Sequence, residues 1–246
     1  MLIDAAHLKG LVIRATDGEL GIVDQAYFDD DTWDLRYLTV DTGGWLRGRS
    51  VLVSPLSIID ADWPAGRLDV ALTKKQVENS PDVDTHKPVS RQHEAACASY
   101  YGYPYYWVSP SFGGTFYPVA GANPESEYAA PVTSTTAMDS HLRSMDALTG
   151  RFIEAVDGEI GHLCGFVLDD QTWAARYIEV ATRNWWPGKK ILISPTWIKG
   201  MTWADATVRV GLTREAITSA PEYIEFMPIS REYETRLCFH YGQVPY

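Results

Sequence analysis

The sequence predicts a mainly β protein with short α-helices, made of two tandem copies of a six-stranded module, each followed by two helices. Three observations carry this reading. Asp17-Gly18-Glu19-Leu20-Gly21, Trp33 and Arg36-Tyr37 return as Asp157-Gly158-Glu159-Ile160-Gly161, Trp173 and Arg176-Tyr177, at a constant offset of 140. That offset holds without a gap as far as Tyr101-Gly102 and Tyr241-Gly242, which marks a duplicated module and not one larger fold. Within each copy, short runs of β-formers alternate with turn residues, and two later segments open on Thr or Ser and stop at Pro or Gly.

The first strand of the module covers residues 10–15, ended by Thr16-Asp17-Gly18-Glu19, and residues 152–156 repeat it before Asp157-Gly158. Asp-Gly between two such runs predicts a hairpin with a type I′ turn, which needs positive φ at both central residues. Read as a catalytic or calcium site, Asp-Gly-Glu lacks the several oxygen ligands that calcium takes, so the stretch reads as a turn. The second strand spans 19–28, or 159–168, with Gly21 and Gly161 inside it to mark a bulge or a close backbone approach. Asp29-Asp30-Asp31-Thr32 and Asp169-Asp170-Gln171-Thr172 follow as solvated turns whose Asp side chains bond nearby N–H groups; weak cation binding is the other reading.

Residues 33–41 and 173–181 make the third strand, with Leu38 and Val40, or Ile178 and Val180, facing the interior at period two. Arg36 and Arg176 fall on that same face, so each needs a carboxylate or carbonyls, because a bare guanidinium is too costly to bury. A Gly/Trp loop (43–48 or 183–188) leads into a fourth strand closed by Ser54-Pro55 or Ser194-Pro195. The fifth strand covers 56–63 or 196–203, and the sixth 68–72 or 207–212. Thr73 and Thr213 then cap short helices over 74–79 and 214–219, and Thr73-x-x-Gln76 completes a capping box. Ser90 and Ser230 cap a second helix in each copy, over 91–101 and 231–241, which Gly102 and Gly242 end.

Composition narrows the class. The chain has 246 residues, 46% apolar and 22% charged, with a formal net charge of −11. That balance opposes binding to phosphate backbones or anionic lipid, so neither nucleic acid nor membrane is an expected partner. No apolar run approaches the length of a membrane span, and the N-terminus lacks the features of a signal peptide, so a cytoplasmic protein is expected. Cys97, Cys164 and Cys238 are widely separated with no CxxC pair, and read as reduced, buried small hydrophobes. No P-loop, nucleophile elbow, GxGxxG fingerprint or His pair of metal-ligating spacing occurs. The expectation is a non-enzyme without catalytic residues, metal or cofactor.

The pattern resembles the PRC-barrel family, the small β-barrel of the cytoplasmic part of the photosynthetic reaction-centre H subunit and of ribosome-maturation factors. The residues that carry the resemblance are Asp-Gly-Glu-Leu-Gly (17–21), the strand with Trp33, Arg36-Tyr37 and Val40, and Val51-Leu-Val-Ser-Pro55, with their copies from Asp157, Trp173 and Ile191. Both halves are similar to soluble bacterial proteins with two tandem PRC-barrels. The resemblance implies two six-stranded barrels acting as binding or assembly modules, and it brings no shared catalytic residues. It also suggests a second reading, an accessory factor for electron transport or reaction-centre-like complexes that binds a quinone or another small cofactor. An RNA-metabolism accessory is third, and the acidic charge speaks against it.

The domain reading is a first module over 1–107, a flexible linker over 108–139 rich in Pro, Gly, Ser, Thr and Ala, and a second module over 140–246. Interface candidates are the aromatics Tyr103, Tyr105, Tyr106 and Trp107 of the tail, with Trp45, Trp185 and Trp186 of the loops, since Tyr and Trp are enriched at interfaces. Docking of that tail is expected either to pair the two barrels within the chain or to build a homodimer. Repeated tryptophans read first as core or module packing, and as a quinone or flavin pocket second. Limited digestion is expected to cut first within 108–139; early cuts inside 11–72 would contradict the two-module reading.

Overall fold

The computed structural model describes residues 1–46, 50–81, 91–106, 141–182, 189–202, 207–224 and 229–242. The expected linker lies outside the described residues. The chain divides into two compact units, Met1–His7 with Met145–Tyr246, and Leu8–Ser144. Each is mainly β with few short helices, and each contains one seven-stranded sheet.

In chain order β1 (Leu2–Asp4) comes first. The first repeat then supplies β2 (Val12–Ala15), β3 (Gly18–Asp29), β4 (Leu35–Asp41), β5 (Ser50–Val53), β6 (Ile58–Asp62) and β7 (Arg67–Val70). Helices α1 (Lys74–Glu78) and α2 (Arg91–Tyr101) follow. The second repeat opens with β8 (Leu142–Ser144) and the short α3 (Met145–Leu148). It continues with β9 (Phe152–Ala155), β10 (Gly158–Asp169), β11 (Ala175–Thr182), β12 (Lys190–Ile193), β13 (Ile198–Thr202) and β14 (Thr207–Val210). It ends in α4 (Arg214–Thr218) and α5 (Arg231–His240).

The unit Leu8–Ser144 orders its sheet β5-β4-β3-β2-β7-β6, with β8 also paired to β3. The other unit repeats the order as β12-β11-β10-β9-β14-β13, with β1 paired to β10. All pairs are antiparallel except β2 with β7 and β9 with β14. The long strand explains the extra partner. β3 has twelve residues, its hairpin partner β2 reaches only as far as Ile22, and the far end of that edge stays open for Tyr27–Asp29 to pair β8. Because β1 and β8 start 140 residues apart, they are the same element of the two repeats, and each completes the sheet of the other repeat. The sequence boundaries at 107 and 140 place Leu2–Asp4 with the first repeat; the pairing places it with the second.

Several local expectations change. The hairpin tips are not type I′: Ala15 pairs Gly18 and Ala155 pairs Gly158, which puts Thr16-Asp17 at the first tip, and positive φ there is confined to Gly18 (143°) and Gly158 (133°). The Asp is used otherwise. Its Oδ1 accepts the N–H of Lys74 at 2.8 Å, and Asp157 accepts that of Arg214 at 2.8 Å, so each tip is tied to the first turn of a short helix. Ser54-Pro55 does not simply end a strand. Ser54 accepts the Leu56 N–H at 3.3 Å and Pro55 starts a 3-10 turn, which delays the next strand to Ile58; Ser194-Pro195 does the same before Ile198.

Trp33 does not open the third strand either. Its φ is 62°, its N–H donates to the Asp29 carbonyl at 2.8 Å, and β4 begins at Leu35; Trp173 repeats the conformation at 60°. A left-handed L-residue costs about 1–2 kcal/mol. Burial of the indole offsets it, since Trp33 is 8% exposed and stacks on Phe28 at 5.2 Å.

The helix signals match. Thr73 and Gln76 form the capping box, Ser230 accepts the Tyr233 N–H at 3.2 Å, and Gly102 and Gly242 hold φ of 71° and 66°. Ser90 lies outside the described residues. Inside the sheet, Ile13, Leu20, Leu38, Val40, Val51, Val53 and Leu68 are buried. The opposite face is buried too: Tyr27, Tyr37 and Leu52 pack with Cys97 of α2 and Leu142 of β8. Hence residues 37–40 are buried in succession rather than alternately.

Gly21 and Gly161 sit at close approaches, where a Cβ would lie 2.0 Å from the carbonyl oxygen of Asp41 or Ala181. Gly161→Ala is therefore expected to destabilise by about 3 kcal/mol, the upper end for overpacking. Thermal melting would check this, and a wild-type midpoint would contradict the register of β10 on β11.

Candidate functional site

In the unit Leu8–Ser144 the richest cluster of polar and aromatic groups lies where α2 and the tail after it cover the second face of the sheet. α2 carries Glu94, which is fully buried. Tyr106 donates its hydroxyl to the Glu94 carboxylate, and the Arg36 guanidinium lies over the Tyr106 ring at 3.8 Å from its centroid. Arg36 also donates to Asp34 at 2.7 Å, which is the carboxylate that its half-buried place on β4 requires. Burial holds the Asp34 carboxyl above its usual value, against the pull of Arg36.

Tyr103 is anchored by its N–H to the Ala98 carbonyl at 2.8 Å, and its ring stacks on Tyr101 at 5.5 Å. Beside them opens a hollow of about 420 Å³ lined by Leu56, Ser57, Leu72, Gln76, Tyr100 and Tyr103 among others. Tyr100 closes one side, its hydroxyl donating to the Gln76 carbonyl at 2.8 Å. Burial raises the phenol pKa of Tyr103, and pushes that of Tyr101 up to about 12. Tyr37 is raised further, by burial first and then by the Glu94 charge. At neutral pH these phenols are neutral hydrogen-bond donors and acceptors, and the hollow that Tyr101 and Tyr103 line mixes polar and apolar groups. Such a surface suits an aromatic group that also accepts or donates a hydrogen bond.

The unit Met1–His7 with Met145–Tyr246 repeats part of this. Glu234 of α5, the counterpart of Glu94, accepts the Tyr177 hydroxyl at 3.0 Å. Tyr177 is raised by burial and then by Glu234. Tyr241 packs on Trp197 at 4.5 Å between centroids. The repeats differ at the sheet itself. Thr39 bonds the Gln25 backbone, whereas Glu179 in its place is 2% exposed and lies 3.7 Å from Lys190 Nζ. Cys164 is half-buried rather than buried, and its Sγ donates to the Glu179 carbonyl at 3.4 Å; Cys97 and Cys238 are buried as expected.

The sequence-derived interface candidates fall as follows. Tyr103, Tyr105 and Tyr106 are half-buried, and Tyr103 and Tyr106 bond within their own unit. Trp45 is 37% exposed, donates its ring N–H to the Leu20 carbonyl at 2.7 Å, and lies beneath Lys74 Nζ at 4.5 Å. Trp107, Trp185 and Trp186 lie outside the described residues. Sequence reasoning missed Glu94 and Glu234, although their shared place in Arg91-Gln-His-Glu94 and Arg231-Glu-Tyr-Glu234 was a usable signal.

Among the described residues, Asp30, Asp31 and His141 bring ligand-type atoms within 4.8 Å of one another. Asp30 already holds Arg143 Nε at 2.9 Å, and His141 Nδ1 lies 3.2 Å from its other oxygen, so the group serves to pin β8 to β3. The acidic turn is partly buried as well. Asp29 is 3% exposed and accepts the N–H groups of Asp31 and Thr32. Burial opposes ionisation of its counterpart Asp169, yet the N–H groups of Thr172 and Gln171 hold that carboxyl below the usual range. Among the described residues no helix is long and apolar enough to cross a membrane. Comparison with known protein families finds no match for the chain, and no curated protein matches it.

A raised phenol pKa means that the unfolded chain loses those protons first, so stability is full below the ordinary value of 10 and falls as pH rises beyond it. Tyrosinate absorbance above pH 10 is expected to rise together with loss of far-UV dichroism. Full titration of the tyrosines at their ordinary value with the fold intact would contradict the buried cluster.

Proposed function

We propose that the chain is a non-catalytic interaction or assembly protein of PRC-barrel type, in which each sheet is closed as a small barrel. The observation that carries the reading is the use made of its reactive side chains. Asp17, Asp157, Arg36, Glu94 and Glu234 are engaged in holding strands, helices and tail together. What the units leave to solvent includes large apolar groups: Leu56 and Ile59 at 46% and 66% exposed in one, Ile224 and Phe239 at 60% and 74% in the other. Exposed apolar groups next to a tyrosine-rimmed hollow support a protein partner as the ligand of the first unit.

A second reading, a quinone-like or other small aromatic ligand, is favoured by the hollow itself, whose volume falls within the range of small-molecule sites. One experiment separates the two. Affinity capture with the wild type and with Leu56→Glu is expected to retain a protein that the variant loses. Titration with a soluble short-chain benzoquinone is expected to leave tyrosine and tryptophan fluorescence unchanged. Saturable quenching by the quinone, abolished in Leu56→Glu, would favour the second reading; capture that is the same for both proteins would remove the first.

A further inference from the structure

The opening strands are exchanged. β1 belongs by sequence to the first repeat and pairs β10 through Leu2↔Asp169, Ile3↔Leu168 and Asp4↔Val167. β8 belongs to the second repeat and pairs β3 through Leu142↔Asp29, Arg143↔Phe28 and Ser144↔Tyr27. The two registers are the same when shifted by 140, down to the bond just outside each ladder: Asp30 N–H to the His141 carbonyl at 2.9 Å, and Asp170 N–H to the Met1 carbonyl at 3.0 Å. This is the topology of a two-chain strand swap written into one chain.

The exchanged strands are not marginal edges. Leu142 is 1% exposed within the cluster of Tyr27, Tyr37, Leu52 and Cys97, and Ile3 is 7% exposed. β8 is also held by charge and side-chain hydrogen bonds. Arg143 donates to Asp30 at 2.9 Å, His141 lies within 3.2 Å of Asp30 and 3.1 Å of Asp31, and Ser144 donates to Gln25 at 3.1 Å. At the position of Arg143 the first repeat has Ile3, and at that of Asp31 the second has Gln171, so the two acceptor edges differ in charge and each suits its own strand.

We propose that the acceptor edges on β3 and β10 are interaction surfaces whose occupant is the opening strand of the other repeat, and that this reciprocal exchange, rather than the covalent connection through 107–140, keeps the two repeats together. The inference does not depend on what either unit binds. It differs from the expectation of two self-contained modules on a tether, in which a cut releases two independent bodies.

The full chain with a site-specific protease sequence inserted within 108–139 tests this. After cleavage under native conditions, the two pieces are expected to elute together at the volume of the uncut protein and to separate only in denaturant. Amide exchange at residues 2–4 and 142–144 is expected to keep the protection of the uncut chain, since each strand's partner now sits on the other piece. Separation of the pieces without denaturant overturns the proposal. So does co-elution with protection lost at either strand, which would mean that some other contact holds the pieces.

Discussion

Each sheet depends on one long strand. β3 and β10 have twelve residues apiece, and each hydrogen-bonds to three neighbours: a hairpin partner near its start, a borrowed strand at its far end, and a long antiparallel partner that overlaps both stretches. The register of each long strand shifts just before Gly21 or Gly161 against its hairpin partner, and again farther along against its long partner. A side chain at either glycine would collide with the carbonyl of the neighbouring strand, so the close pairing with the long partner requires glycine there.

The second constraint is the double covering of that sheet. Tyr27, Tyr37 and Leu52 face away from the aliphatic interior, and α2 with β8 covers them. Because the cover is a helix bearing a buried carboxylate, its packing depends on phenols and a guanidinium brought by the sheet and by the tail. Tyr106 meets Glu94 in one unit, with Arg36 over its ring, and Tyr177 meets Glu234 in the other. The tail thus contributes to the cover of its own unit through Tyr106, and to the rim of the hollow through Tyr103.

Much of this was legible in the residues. The 140-residue offset, the order of the strands, the capping box at Thr73 and the glycine stops at 102 and 242 follow from patterns with a local cause. What was not legible is what tertiary context decides. A three-residue strand such as Leu142–Ser144 has no periodicity to read, and nothing in Leu2–Asp4 says which long strand it joins. Positive φ at Trp33 and Trp173 contradicts their residue type and survives because the rings are buried. Asp17 reads as a turn residue for its own hairpin, yet its carboxylate caps a helix 57 residues away. Two regions of Trp candidates, at 107 and at 185–186, lie outside the described residues.

The borrowed strand also sets an order of events during synthesis. Leu2–Asp4 is synthesised long before its partner, which ends at Asp169, so at roughly 5–20 residues per second it waits about 10–30 s before it can pair. The unit that begins at Leu8 cannot complete its seven strands until Leu142–Ser144 has emerged. Translation therefore does not finish one half before starting the other; both sheets reach their full strand count late, and for that interval the edges of β3 and of the nascent β10 stand open to any extended peptide nearby.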